Sequence, residues 1–329
     1  MSPSTRSCSW LVLVPLILSI LLACTANGDH LKVGYYDNTC PNVQQIVHSV
    51  MASRVDADQS MAPAVLRLFF HDCFVDGCDG SVLLDGTPFS GSEKDAKPNA
   101  NSLRGFDVID EIKSHVEHAC PATVSCADIL ALASRDAVAL LGGPTWEVQL
   151  GRRDSRGANR TAAEYGLPAP NSTLAELIGL FRHHGLDARD MAALSGAHTI
   201  GTARCHHYRN RAYGYGGEGG AAAIDPAFAE RRRQTCQSAY DAPAPFDEQT
   251  PMGFDNAYYR DLVARRGLLT SDQALYGGGG PLDNLVEMYS TDGKAFAKDF
   301  ARAMVKMGKI PPPPQMQVEV RLSCSNINW

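Results

Sequence analysis

Apolar residues recur at helical spacing along most of this chain, so the pattern predicts a mostly α-helical protein with minimal β-structure. Val43, Ile46, Val47, Val50 and Met51 follow Pro41 as the stripe of an amphipathic helix. The run from Leu66 to Ser81 reads as a helix entering a tight loop. Arg67 and His71, four residues apart, share one helix face with Phe70 beside them, while Leu66 and Phe69 turn toward a core. Gly105 to Ala119 and Ser125 to Leu141 repeat the periodicity, and Gly142-Gly143-Pro144 stops the second. Leu174 to His183 and Asp187 to Ser195 follow, the latter with Asp187 as N-cap. Met191, Leu194 and His198 fall at i, i+3 and i+7, so His198 leaves that helix on its buried face. Pro226 to Ala239, Asp255 to Arg266, Asn284 to Tyr289 and Gly293 to Met307 complete the helices. Gly86 to Asn101, Gly151 to Pro170 and the glycine-rich Gly214 to Gly220 read as loops. Short strands are expected near Trp146 to Gln149, and Pro311 to Pro314 as a polyproline-like exit toward Cys324.

The first 28 residues differ from the rest. Arg6, an apolar run from Trp10 to Ala23 and small residues around Cys24-Thr25-Ala26 have the layout of a secretory signal, with cleavage expected between about residues 26 and 30. The run is about 14 residues, too short to span a bilayer, and no membrane partner is expected. Residues 29–329 then form one domain. The formal charge of −6 becomes −7 once Arg6 is lost. No basic stripe accompanies that charge, which argues against nucleic acid; Arg231-Arg232-Arg233 reads as a solvated helix face.

Of ten cysteines, Cys8 and Cys24 lie in the signal, leaving Cys40, Cys73, Cys78, Cys120, Cys126, Cys205, Cys236 and Cys324. An even number in a secreted chain implies four disulfides, with the pairing open. No Cys-x-x-Cys occurs, which argues against zinc. Two glycosylation sequons begin at Asn159 and Asn171.

The strongest chemistry is in the Leu66–Ser81 run. A base (His71), a fixed cation (Arg67) and an aromatic wall (Phe70) share one pocket. In the loop beyond, the side-chain oxygens of Asp72, Asp79 and Ser81 with the carbonyls of Val75 and Gly77 make a hard-cation cage suited to calcium. Cys73 and Cys78 bracket the turn.

That run resembles the distal motif of the plant secretory (class III) haem peroxidases. Leu194-Ser195-Gly196-Ala197-His198-Thr199-Ile200-Gly201 is similar to their proximal motif, and order and separation match from about Tyr35 to Cys324. The resemblance implies two helical lobes with one haem b between distal and proximal helices, and two calcium ions. It implies His198 as the iron ligand and Arg67, His71 and Asn99 as the catalytic set. Asn99, in the segment Glu93 to Ser102, would support His71. Asp283, counted back from Leu285-Val286 and Tyr289-Ser290, is expected to accept the other ring proton of His198, with Asp272 and Asp292 as rival carboxylates. The second calcium would be held by Thr199, Asp247, Thr250, Gly253 and Asp255, and donors would approach at Pro168. The implied disulfides are Cys40–Cys120, Cys73–Cys78, Cys126–Cys324 and Cys205–Cys236.

The expected activity is reduction of hydrogen peroxide with one-electron oxidation of small phenolics by an extracellular monomer, the short tail after Cys324 arguing against the vacuole. A non-catalytic calcium-binding cell-wall glycoprotein of the same fold is the alternative, opposed by the presence together of Arg67, His71, Asn99 and His198. A secreted hydrolase lacks its Gly-x-Ser-x-Gly elbow.

Overall fold

The computed structural model describes residues 31–86, 91–214 and 224–329. The expected signal and residues 215–220 of the glycine-rich loop lie outside them.

Thirteen α-helices are formed by the described residues: α1 Val43–Ala57, α2 Met61–Cys73, α3 Phe106–Ala119, α4 Cys126–Leu140, α5 Arg160–Gly166, α6 Leu174–His183, α7 Ala188–Ser195, α8 Cys205–Tyr213, α9 Pro226–Ser238, α10 Ala257–Val263, α11 Thr270–Gln273, α12 Pro281–Thr291 and α13 Gly293–Met307. Two-residue strands β1 (Asp154–Ser155) and β4 (Val318–Glu319) pair antiparallel, as do β2 (Thr202–Arg204) and β3 (Pro243–Pro245).

Helix α4 is apolar nearly all round, and it packs against α1, α2 and α3. Ser125 Oγ caps it by accepting from Asp128 N, and the buried Asp154 carboxylate accepts from the N–H groups of Cys126 and Ala127. Asp154 also accepts from Arg321 N, which joins the start of α4 to the end of the chain. In a second set of helices, α7 packs against α6, α12 and α13, while α10 packs on α12. Capping boxes start α6 (Thr173 with Glu176) and α7 (Asp187 with Asp190). One buried apolar cluster runs through both sets, and a smaller one around Tyr208, Phe228 and Leu268 joins α8 and α9 to the β2–β3 ribbon.

All four implied disulfides are present, spanning 80, 5, 198 and 31 residues. Four local expectations are corrected. Trp146 to Gln149 is not a strand; the nearest pairing is the single Lys32–Leu150 bridge. The expected Gly151–Pro170 loop contains β1 and α5. The stretch expected as a loop after Gly86 holds a 3-10 turn, Glu93–Asp95. Arg232 is buried rather than solvated: it pairs with Glu248 and stacks on Phe228, because α9 packs that face against α8. The proline tract has no regular structure and runs against the distal loop. At Gly77 (φ +93°) a Cβ would lie 2.6 Å from the Pro311 carbonyl carbon, so only glycine admits this approach.

Candidate active site

Helix α2 buries Leu66 and Phe69 and leaves Arg67 and Phe70 half-buried on the other face. Arg67 is clamped from outside its helix: Nη1 donates to Ser102 O (3.1 Å), and Nη2 donates to Pro98 O (3.0 Å) and Ser102 Oγ (3.1 Å). Its Nε donates to His71 Nε2 at 3.2 Å. Burial lowers the guanidinium to about 10, so it stays charged at neutral pH. Phe70 packs on Phe74, ring centroids 4.2 Å apart, and forms a wall beside His71.

His71 Nδ1 lies 2.6 Å from Asn99 Oδ1. Asn99 Nδ2 donates to Glu93 O at 2.8 Å, which fixes the amide so that its oxygen faces the imidazole. The Nδ1 proton is thereby held on Asn99, and Nε2 carries the lone pair. Burial, then the Arg67 charge, hold His71 well below its usual range, against the opposing pull of Asn99, so the ring is neutral at pH 7.

The distal loop fits a hard cation. Among the described residues no three His, Cys, Asp or Glu side chains converge on one point, so such a cage rests on two carboxylates, a hydroxyl and backbone carbonyls. Asp72 and Asp79 are wholly buried, and Asp72 Oδ1, Asp79 Oδ2 and Ser81 Oγ have no hydrogen-bond partner. Burial pushes Asp72 up to about 7 and Asp79 well above the carboxylate range. Orphaned buried oxygens of this kind are costly unless a cation meets them. Val75 is buried in the same turn, where Asp72 O accepts its N–H, and Gly77 follows with its left-handed backbone. Glu93 was not singled out from sequence. It is buried, with Oε1 accepting from Asn159 N and Oε2 unpartnered, while its carbonyl holds Asn99. Asn159 also donates to Asp76 of the distal loop, and the Glu93–Asp95 turn packs on Ser81–Leu83, so the distal loop is joined through Glu93 and Asn99 to His71.

His198 lies in a 3-10 turn, Gly196–Thr199, that continues α7. Its side chain is 37% exposed, unlike the buried Met191 and Leu194 of its stripe. Nδ1 sits 2.7 Å from Oδ1 of Asp272, which is 3% exposed. Phe246 stacks on the ring at 3.9 Å. The expectation of Asp283 is corrected: from the first turn of α12 its carboxylate accepts from Gly277 N (3.0 Å) and Gly279 N (2.9 Å) of the preceding loop, and it makes no bond to His198. Asp292 caps α13. The only sequence signal for Asp272 was its place among the rival carboxylates, and none marked Phe246.

Around Thr199 five oxygen-bearing groups converge. Thr199 Oγ1 is 3.3 Å from Asp247 Oδ2 and 3.5 Å from both Gly253 O and Asp255 Oδ1, while Thr250 Oγ1 is 3.0 Å from Asp247 and 2.9 Å from Asp255. Two hydroxyl protons cannot serve so many acceptors, so this donor set also fits calcium. Pro168 is half-buried just after α5. Asn159 caps α5 through Oδ1 and donates from Nδ2 to Asp76 at 2.6 Å; Asn171 is exposed.

A family profile described as peroxidase matches residues 47–292. Peroxidase 4 of Vitis vinifera is 47% identical over 326 residues, 98% of this chain and 99% of its own length. Peroxidase 22.3 of Oryza sativa subsp. japonica is 49% identical over 317 residues (95% and 96%). The lignin-forming anionic peroxidase of Nicotiana sylvestris is 47% identical over 311 residues (94% and 95%).

Proposed function

The chain belongs to the plant (class III) peroxidase family and is a peroxidase, and on that premise we propose that it reduces hydrogen peroxide at a haem held by His198 while oxidising small phenolic donors outside the cell. The observation carrying this reading is the pair of oriented imidazoles, His71 tied to Asn99 and His198 tied to Asp272.

A haem is implied by the family, and the residues present fit it. His198 has one nitrogen committed to a buried carboxylate, and among the described residues its Nε2 takes no hydrogen bond. Bound there, the haem supplies the redox-active iron on which peroxide is reduced. Asp272 holds the Nδ1 proton and so strengthens Nε2 as a metal donor. His71 Nε2 takes the proton from one peroxide oxygen and returns it to the departing one, a shuttle available because the ring is neutral. General acid–base catalysis of this kind is worth roughly 10²–10⁴-fold. Arg67, held by Ser102 and Pro98, stabilises negative charge on the departing oxygen. Its Nε bond to His71 Nε2 must yield when peroxide enters. Asn99 keeps the correct tautomer.

Calcium at the Asp72–Ser81 loop stiffens the support of His71 through Glu93 and Asn99. Calcium at Thr199, Asp247, Thr250, Gly253 and Asp255 fixes the turn bearing His198. Phenolic donors would approach the site beside Pro168. Export is supported by the N-terminal apolar run, four disulfides and the sequons at Asn159 and Asn171, with residues 29–329 as the mature domain, a monomer.

Purified protein should show a ferric haem Soret band and oxidise a simple phenol such as guaiacol only when peroxide is present. A folded, colourless protein that cannot take up added haem overturns the proposal.

A further inference from the structure

Asp272 has a second side-chain partner on the oxygen that faces His198. Tyr258, buried on α10, donates its hydroxyl to Asp272 Oδ1 at 3.2 Å, the same atom that lies 2.7 Å from His198 Nδ1. The other oxygen, Oδ2, accepts from Leu269 N at 2.8 Å. The ring of Tyr258 stands edge-on to the imidazole, with centroids 6.2 Å apart. The nearby buried cation is Arg211, whose guanidinium donates to Gly267 O and Gln273 Oε1 and leaves the carboxylate to its neutral donors.

We propose that Tyr258 is a positioning residue that sets how strongly Asp272 draws the Nδ1 proton of His198, and hence the electron donation of His198 to the metal it holds. Hydrogen bonds to one carboxylate oxygen compete: each donor withdraws charge that would otherwise act on the other. A hydroxyl on Oδ1 therefore restrains the imidazolate character that Asp272 alone confers. Tyr258 also lies three residues after Asp255, whose Oδ1 accepts from Ala257 N at the start of α10. The restraint is thus attached to the loop bearing the Thr199 oxygen cage.

The inference rests on His198 being the iron ligand, and the experiment separates the two. Tyr258→Phe keeps the ring and its packing but removes the donor. In haem-loaded protein it should shift the ferric/ferrous equilibrium toward ferric iron by about three- to tenfold, the range of one ordinary intramolecular hydrogen bond. It should also raise the iron–imidazole stretching frequency in the resonance Raman spectrum of the ferrous form. Placing 2,3-difluorotyrosine at position 258, a stronger donor of nearly the same shape, should move both readouts the other way and keeps the test open if Tyr258→Phe does not fold. In an Asp272→Asn background Tyr258→Phe should move neither. Equal shifts in both backgrounds, or none with Asp272 intact, overturn the inference. Absence of any iron–imidazole band in the unaltered protein would instead remove the assignment of His198 on which it rests.

Discussion

For single residues, chemistry depends on which hydrogen-bond partner each imidazole finds. Asp272→Asn should raise the ferric/ferrous reduction potential and slow the reaction with peroxide, whereas Asp283→Asn should do neither. Redox titration of both variants checks this, and a shift confined to Asp283→Asn would contradict the geometry. His71→Leu should slow the reaction with peroxide by roughly 10²–10⁴-fold and leave the resting spectrum in place, since it removes the proposed proton shuttle and leaves His198, the proposed iron ligand, untouched. The depressed His71 predicts a pH profile as well. Its folded-state value lies below that of the unfolded chain, so the neutral base persists as pH falls through 6.5 and is lost well below it. The stability that goes with neutral His71 is complete above 6.5 and declines as pH falls beneath it. Stopped-flow rates across that range test the profile; a midpoint at 6.5 or above would show an unperturbed ring.

Among the elements, the site depends on how helix ends are held. The box of Asp187 and Asp190 starts α7, which delivers His198 only eleven residues after its cap. Asp187→Ala should cost about 1 kcal/mol, read as a lower melting temperature. If both proposed cages hold calcium, chelation should release two ions per chain, lower thermal stability and perturb the haem spin state, because Thr199 adjoins His198, the proposed iron ligand. Metal analysis of native protein finding no calcium would contradict both cages. The helices most legible in sequence were those with a continuous apolar stripe and a cap, α6 and α13, both matching their expected bounds. Helix α8, Cys-His-His-Tyr-Arg-Asn-Arg-Ala-Tyr, carries too few apolar residues to show a stripe, and α5 is only seven residues long. Both form because the chain around them packs and caps them, Asn159 at α5 and the β2–β3 ribbon with α9 at α8.

Across the molecule, the longest constraint is Cys126–Cys324, closing 198 residues and pinning the tail beside Asp154 and Arg321. Replacing both cysteines by alanine should cost about 2–5 kcal/mol, measured by denaturant unfolding, with the haem spectrum retained until the fold is lost. Whatever is local was already set by the order of residues. Helical periodicity, the four-residue spacing of Arg67 and His71, the adjacency of Thr199 to His198 and the oxygen-rich run from Asp72 to Ser81 all follow from neighbours along the chain. Which carboxylate meets His198 was settled in three dimensions, since Asp272 lies 74 residues away and reaches it where the turn bearing His198 packs on α10, whose Tyr258 bonds the same carboxylate. Asp283 sits at a helix start that looks equally suitable in one dimension, yet its oxygens are taken by the backbone of the glycine-rich loop just before its helix. The same holds for Glu93, Phe246 and Tyr258: a charge, a ring and a hydroxyl acquire their roles from what burial places against them, and spacing along the sequence carries no record of that.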